Sequence, residues 1–162
     1  RPLNRYITIN WSTAGVVTPL AASSRFLKAA GDWLRSHGIP LAFVWTRENC
    51  HGDHVHLLIH VPPQLARGFT RRQRGWLKAS GAKTAKGVID TTAVGRHYRS
   101  YELSPDYYAL NLDYVLRYLL KGASSDGARF TDHRRCPCGD VTGKRSGVSV
   151  YLGRHRRTFR AM

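Results

Sequence analysis

Four histidines fall within ten residues in the stretch HGDHVHLLIHVPP (51–63): His51, His54, His56 and His60. The run HVHLLIHV (54–61) otherwise reads as a strand held on a core. Side chains alternate along a strand, so His54, His56 and His60 share one face with Leu58, while Val55, Leu57 and Val61 share the other. At a rise of ~3.3 Å per residue, His54 and His56 are about 7 Å apart by Cα, near enough for two imidazoles to converge on one divalent cation. His60 lies roughly 13 Å beyond His56 and cannot join them. A third donor is expected from Glu48, at the end of the preceding strand, which an antiparallel hairpin returns beside His54. A carboxylate with two neutral imidazoles suits Mn²⁺ or Mg²⁺, with Zn²⁺ also compatible, and leaves positions open for substrate. His51 and Asp53, in the turn, stand as alternative third ligands. The plainer alternative is a polar strand face with hydrogen-bonded histidines. A structural zinc site joining Cys136 and Cys138 to Cys50 or His51 would match no standard zinc module.

A second group follows in LDYVLRYLLKG (112–122). At 3.6 residues per turn, Tyr114, Tyr118 and Lys121 lie within roughly 60° of arc. One helix face thus carries two phenols and an ammonium, and Val115, Leu116, Leu119 and Leu120 supply the packing face. Taken alone, such tyrosines are ordinary amphipathic packing. Beside a metal-binding strand they become candidate nucleophiles toward phosphorus. A phenol with a pKa near 10 is weak at neutral pH. A metal ion and a nearby lysine would offset that weakness by stabilising the anionic transition state.

The partner implied by composition is anionic. Lys and Arg number 26 against 10 Asp and Glu, a formal charge of +16 over 162 residues. Nucleic acid is the simplest such partner and an anionic membrane surface the weaker one. No apolar run approaches the roughly 20 residues of a membrane span, so no membrane partner is expected. RPLNRYITIN carries no apolar signal-peptide core. Three cysteines (Cys50, Cys136, Cys138) in no framework spacing argue against a disulfide-stapled domain and for a reducing, cytoplasmic compartment.

These residues need a frame. YITINW, from Tyr6, alternates as a strand. A helix is predicted from Thr18 as N-cap and Pro19 as first residue to a stop at Gly38 and Pro40, with Leu20, Phe26, Leu27, Ala30, Trp33 and Leu34 at helical spacing. LAFVWTRE (41–48) and HVHLLIHV (54–61) form the hairpin, ended by Pro62 and Pro63. QLARGFTRRQRGWLKASG reads as a basic helix and GVIDTTAV (87–94) as another strand. HYRSYELSPDYYALN is ambiguous between loop and helical turn, and LDYVLRYLLKG is a helix. The order βαββαβα predicts an α+β sandwich, a mostly antiparallel sheet of about five strands with helices packed on it. The catalytic core is expected over 1–125. A basic, Gly-rich extension over 126–162 contains CPCG, GKRSGVSVYLG (a candidate DNA-touching hairpin) and RHRRTFR.

HVH at 54–56 resembles the HUH motif (His, bulky apolar residue, His) of the HUH endonucleases, which include rolling-circle replication initiators, conjugative relaxases and single-strand transposases. YLLK at 118–121 resembles the Y-x-x-K motif of the initiators, and YVLRYLLK at 114–121 their two-tyrosine form, Y-x-x-x-Y-x-x-K. YITIN at 6–10 looks like their first motif. The three occur in the family's order between about residues 6 and 122. The resemblance implies a central antiparallel sheet related to the RNA-recognition fold. It implies a metal held by His54 and His56, with Glu48 as third ligand. Tyr118 would attack a phosphate of single-stranded or hairpin origin DNA, leaving a 5′-phosphotyrosine and a free 3′-OH. Tyr114 would serve the second transfer, with Lys121 at the phosphate. The process would be initiation of rolling-circle replication of a phage, plasmid or related element in a bacterial or phage-infected cell. No helicase motif follows, so a host helicase or a further region would unwind the DNA. HVHLLI also resembles single-tyrosine transposases acting on repetitive palindromes. A nucleic-acid-binding module without catalysis, stacking bases on a sheet, is the alternative from another class.

Overall fold

The computed structural model describes residues 1–122 and 139–154. Five strands form one sheet: β1 (Arg5–Asn10), β2 (Phe43–Glu48), β3 (His54–Ile59), β4 (Ile89–Ala93) and β5 (Ser146–Val148). Their spatial order is β4-β1-β3-β2-β5, and every pairing is antiparallel. The helices are α1 (Pro19–Ser36), α2 (Ala66–Ala79), α3 (Ser100–Leu103), α4 (Pro105–Leu120) and α5 (Val150–Arg154). A 3-10 turn at Pro63–Leu65 leads into α2. The expected α+β architecture with an antiparallel sheet of about five strands and flanking helices is therefore the one present.

Alternation divides the sheet. Ile7 and Ile9 of β1 with Val55, Leu57 and Ile59 of β3 are buried on one face. They join Phe26 and Leu34 of α1 and Phe69 and Leu77 of α2 in the main core. Pro19 opens α1 with its ring in the first turn, where a missing N–H costs nothing. Thr18 precedes it as expected but makes no side-chain cap bond. Gly38, at φ 71°, ends the helix in the left-handed conformation that glycine adopts freely.

The other face carries Tyr6, Thr8, His54, His56 and Leu58, and α4 covers part of it. Leu58 packs with Val94 and Leu119, and Tyr108, Leu112, Val115 and Leu116 complete this smaller cluster. Leu119 is the one buried residue of α4. Leu120, expected among the packing residues, is 38% exposed instead. The register sets polar rows across this face. Thr8, His56, Thr46 and Ser146 are successive partners, and so are Asn10, His54 and Glu48.

Several boundaries differ from expectation. The segment read as ambiguous forms α3 and the first turns of α4, with Pro105 at the start of the longer helix. GKRSGVSVYLG is not a hairpin: it supplies β5, which pairs with β2, and the start of α5. β3 ends at Ile59, so His60 and Val61 lie beyond it. Cys136 and Cys138 lie outside the described residues, as does all of RHRRTFR after Arg154.

Candidate functional site

Glu48, His54 and His56 arrive where sheet geometry sends them. Glu48 is the direct cross-strand partner of His54 in the β2–β3 ladder, and Thr46 is that of His56. The hairpin turn is held in place by Gly52 at φ 93°, with the Asp53 N–H donating to Ser12 Oγ at 2.7 Å. A side chain at Gly52 would meet that Ser12 hydroxyl at 2.7 Å, so both the conformation and the space call for glycine there.

The two imidazoles are held differently. His54 Nδ1 lies 2.7 Å from the Gly52 carbonyl oxygen. A carbonyl only accepts, so Nδ1 donates, and Nε2 is the ring nitrogen left to face the cavity. His56 Nδ1 lies 2.9 Å from Tyr6 Oη and 3.1 Å from Thr8 Oγ1. Its Nε2 faces Glu48 Oε2 at 3.5 Å. The rings of His54 and His56 are nearly parallel, with centroids 6.4 Å apart.

α4 brings its tyrosine and lysine to the same place. The Tyr118 ring meets His56 edge to face at a centroid distance of 5.1 Å. Lys121 Nζ sits 3.6 Å from the centre of the Tyr118 ring and 3.0 Å from Glu48 Oε2. Burial pushes the Glu48 carboxyl up, but hydrogen bonding to His56 and Lys121 outweighs it and holds the group below its usual range. Burial pulls the Lys121 ammonium down, and the contacts with Tyr118 and Glu48 reverse this and raise it. Burial also drives the Tyr6 phenol up to about 12, so it stays neutral as a hydrogen-bonding group.

These side chains line one open cavity of about 680 Å³, together with Cys50, His51, Tyr114 and Val115. Tyr114 stands at the rim, 72% exposed, while Tyr118 is half-covered. Asp53 is diverted, accepting from the buried Arg47 guanidinium at 3.2 Å. His51 is exposed on the turn. His60, expected near DNA or solvent, is buried instead: its Nδ1 donates to the Pro2 carbonyl oxygen at 2.6 Å. The segment before β1 covers it, which the alternation of β3 does not reveal.

Two residues of the site were not singled out from the sequence. Tyr6 and Thr8 share a face of β1, and pairing with β3 places both hydroxyls on His56. The signal was present in YITIN as alternation, yet only the register connects it to a histidine fifty residues away.

Two imidazole nitrogens and a carboxylate are suitable donors for a divalent cation, and the engaged Nδ1 edges are the outer contacts that metal-binding histidines use. Among the described residues, however, no three His, Cys, Asp or Glu side chains converge closely enough to hold an ion as they stand. Glu48 is turned to Lys121, and the histidine rings lie side by side. The donor chemistry fits, and closure requires the three side chains to draw together. A scan against family models, a search of curated proteins and a search of solved structures each return no match. No helix among the described residues is long and apolar enough to cross a membrane.

Proposed function

We propose that this chain nicks and rejoins single-stranded DNA by phosphotyrosine chemistry, as a rolling-circle replication initiator of the HUH type. The observation that carries the reading is the contact set in one cavity: the Tyr118 ring on His56, the Lys121 ammonium on Tyr118, and Glu48 between His56 and Lys121. Neither half of this arrangement has an evident use without the other. A plain binding module needs no phenol packed on a histidine that faces a carboxylate.

In this reading His54 Nε2, His56 Nε2 and Glu48 hold a divalent cation, Mn²⁺ or Mg²⁺, with Zn²⁺ as alternative. When bound, the cation supplies charge stabilisation at the scissile phosphate. Tyr6 and Thr8 orient the His56 ring through Nδ1. Tyr118 Oη forms a bond to phosphorus and releases its proton to solvent water, which returns one to the leaving oxygen. The bond from phosphorus to the 3′ oxygen breaks, and that oxygen takes up a proton. The products are a 5′-phosphotyrosine and a free 3′-OH, and attack by that or another 3′-OH reverses the step. Lys121 neutralises the anionic phosphate, and Tyr114 serves as acceptor in a second transfer. Unwinding would fall to a host helicase or to a further region of the protein, in a bacterial or phage-infected cell, with the cytoplasm as the proposed compartment.

A second reading has one observation behind it. Tyr114 makes no contact with the histidines and is largely exposed, which favours single-tyrosine transposase chemistry on hairpin DNA. In that case Tyr114→Phe leaves nicking and rejoining intact.

The test is cleavage of an end-labelled single-stranded oligonucleotide in Mn²⁺. The variant carrying both His54→Ala and His56→Ala is expected to lose cleavage and keep salt-sensitive binding. Cleavage that persists in this variant, or in EDTA, would remove the metal role.

A further inference from the structure

The solvent face of α4 is apolar well beyond the candidate site. At 100° per residue, Tyr107, Leu110, Tyr114, Tyr118 and Lys121 fall within about 80° of arc. They are not core residues. Tyr107 is 41% exposed, Leu110 71%, Tyr114 72% and Tyr118 37%. The packing face of the helix, around Leu119, points elsewhere. An aromatic ridge therefore runs about 16 Å along the helix from Tyr107 to Tyr118. A cation marks each end: the Arg96 guanidinium lies 5.3 Å from the centre of the Tyr107 ring, and Lys121 lies against Tyr118.

Exposed aromatic groups flanked by cations match one ligand chemistry well. Bases stack on aromatic faces whatever their sequence, and cations beside them attract the strand's phosphates. A duplex hides its base faces and gains nothing from such a ridge. The molecule's charge of +16 supplies the long-range attraction. Asp113, on the flank of the helix, is neutralised by Arg117 at 2.5 Å.

We infer that Tyr107, Leu110 and Tyr114 form a stacking track that holds the bases of a single strand leading to Tyr118. The inference rests on the nicking reading for its direction, since Tyr118 marks the scissile phosphate. The stacking itself needs neither metal nor chemistry.

The experiment is fluorescence anisotropy with a labelled oligothymidylate of about 15 nucleotides in EDTA, so that no cleavage can occur. Tyr107→Ala is expected to weaken binding about 5-fold or more, and Tyr107→Phe to stay within about 2-fold of the wild type. Affinity for a duplex of equal length is expected to be unchanged in both variants. Equal single-strand affinity in the wild type and Tyr107→Ala overturns the track. So does an equal loss on duplex, which would mark a general electrostatic effect. A change in sedimentation from dimer to monomer with unchanged oligonucleotide affinity would assign the ridge to a second copy of the chain and overturn the proposal. So would a lowered melting temperature with unchanged affinity, since the ridge would then be covered by the chain itself. If the wild type forms no covalent adduct in Mn²⁺ while Tyr107→Ala still loses single-strand affinity, the track stands and the nicking reading falls.

Discussion

At His56 the two edges of one imidazole meet different chemistry. Nδ1 lies against two hydroxyls from β1, and Nε2 faces the Glu48 carboxylate on β2. Removing both hydroxyls, with Tyr6→Phe and Thr8→Val, leaves the ring free to turn. The double variant is expected to need about 10–100-fold more Mn²⁺ for half-maximal nicking. Each single variant is expected to shift less, because one hydroxyl remains. His60 gives a prediction independent of function. Burial depresses its pKa, while the bond to the Pro2 carbonyl only partly opposes this. Its folded-state value is therefore below its unfolded one, near 6.5. Between the two values the unfolded chain binds more protons, so stability falls as pH drops through that window. Urea denaturation at a series of pH values should show this slope in the wild type and a shallower one in His60→Gln. Equal slopes would mean that His60 is not the buried neutral group. His54 and His56 were readable from the strand period because their partners lie one strand away. His60 was not, because its partner is Pro2 in an irregular segment.

α4 is the element that joins the two halves of the site, and a small apolar cluster and the Lys121–Glu48 pair hold it on the sheet. Leu119 packs against Leu58 and Val94 at the sheet. Leu119→Ala is expected to cost about 2–5 kcal/mol, read as a lowered urea midpoint. It should also reduce nicking at temperatures where the fold persists, because Tyr118 loses its seat on His56. A fully stable variant would show that α4 is anchored elsewhere. The C-terminal half of this helix was legible from Val115, Leu116 and Leu119. Its first turns were not, because Tyr107 and Leu110 face solvent and break the apolar period, and only Pro105 marked the start. β5 was missed for a related reason. Three residues carry no alternation, and the strand exists through its ladder with β2. Gly147 shows how tight that ladder is: a Cβ there would come within 2.6 Å of Trp45 Nε1. Gly147→Val should therefore release β5 and lower the melting temperature.

For the whole molecule, the proposed function assigns encounter to charge and chemistry to the cavity. A chain of +16 should bind single strands with affinity that falls steeply with salt, by about 0.7 in log K per log unit of salt for each phosphate contacted. The variant carrying both His54→Ala and His56→Ala should keep the wild-type slope while losing cleavage. A changed slope would mean that the histidines bind DNA directly. The sheet and the alternation of strands and helices were approachable from periodicity, whereas the meeting of His56 with Tyr118 was implied only by the resemblance. The lysine on Glu48 was approachable from neither, because a salt bridge between the end of α4 and the end of β2 depends on how the helix lies across the sheet. The most direct measurement is covalent trapping on a labelled single-stranded oligonucleotide in Mn²⁺, with the adduct mapped by mass spectrometry. An SDS-stable adduct on Tyr118 is expected in the wild type, absent in EDTA and absent when Tyr114→Phe and Tyr118→Phe are combined. An adduct that persists in that double variant, or none at all with an intact fold, would contradict phosphotyrosine chemistry at this site.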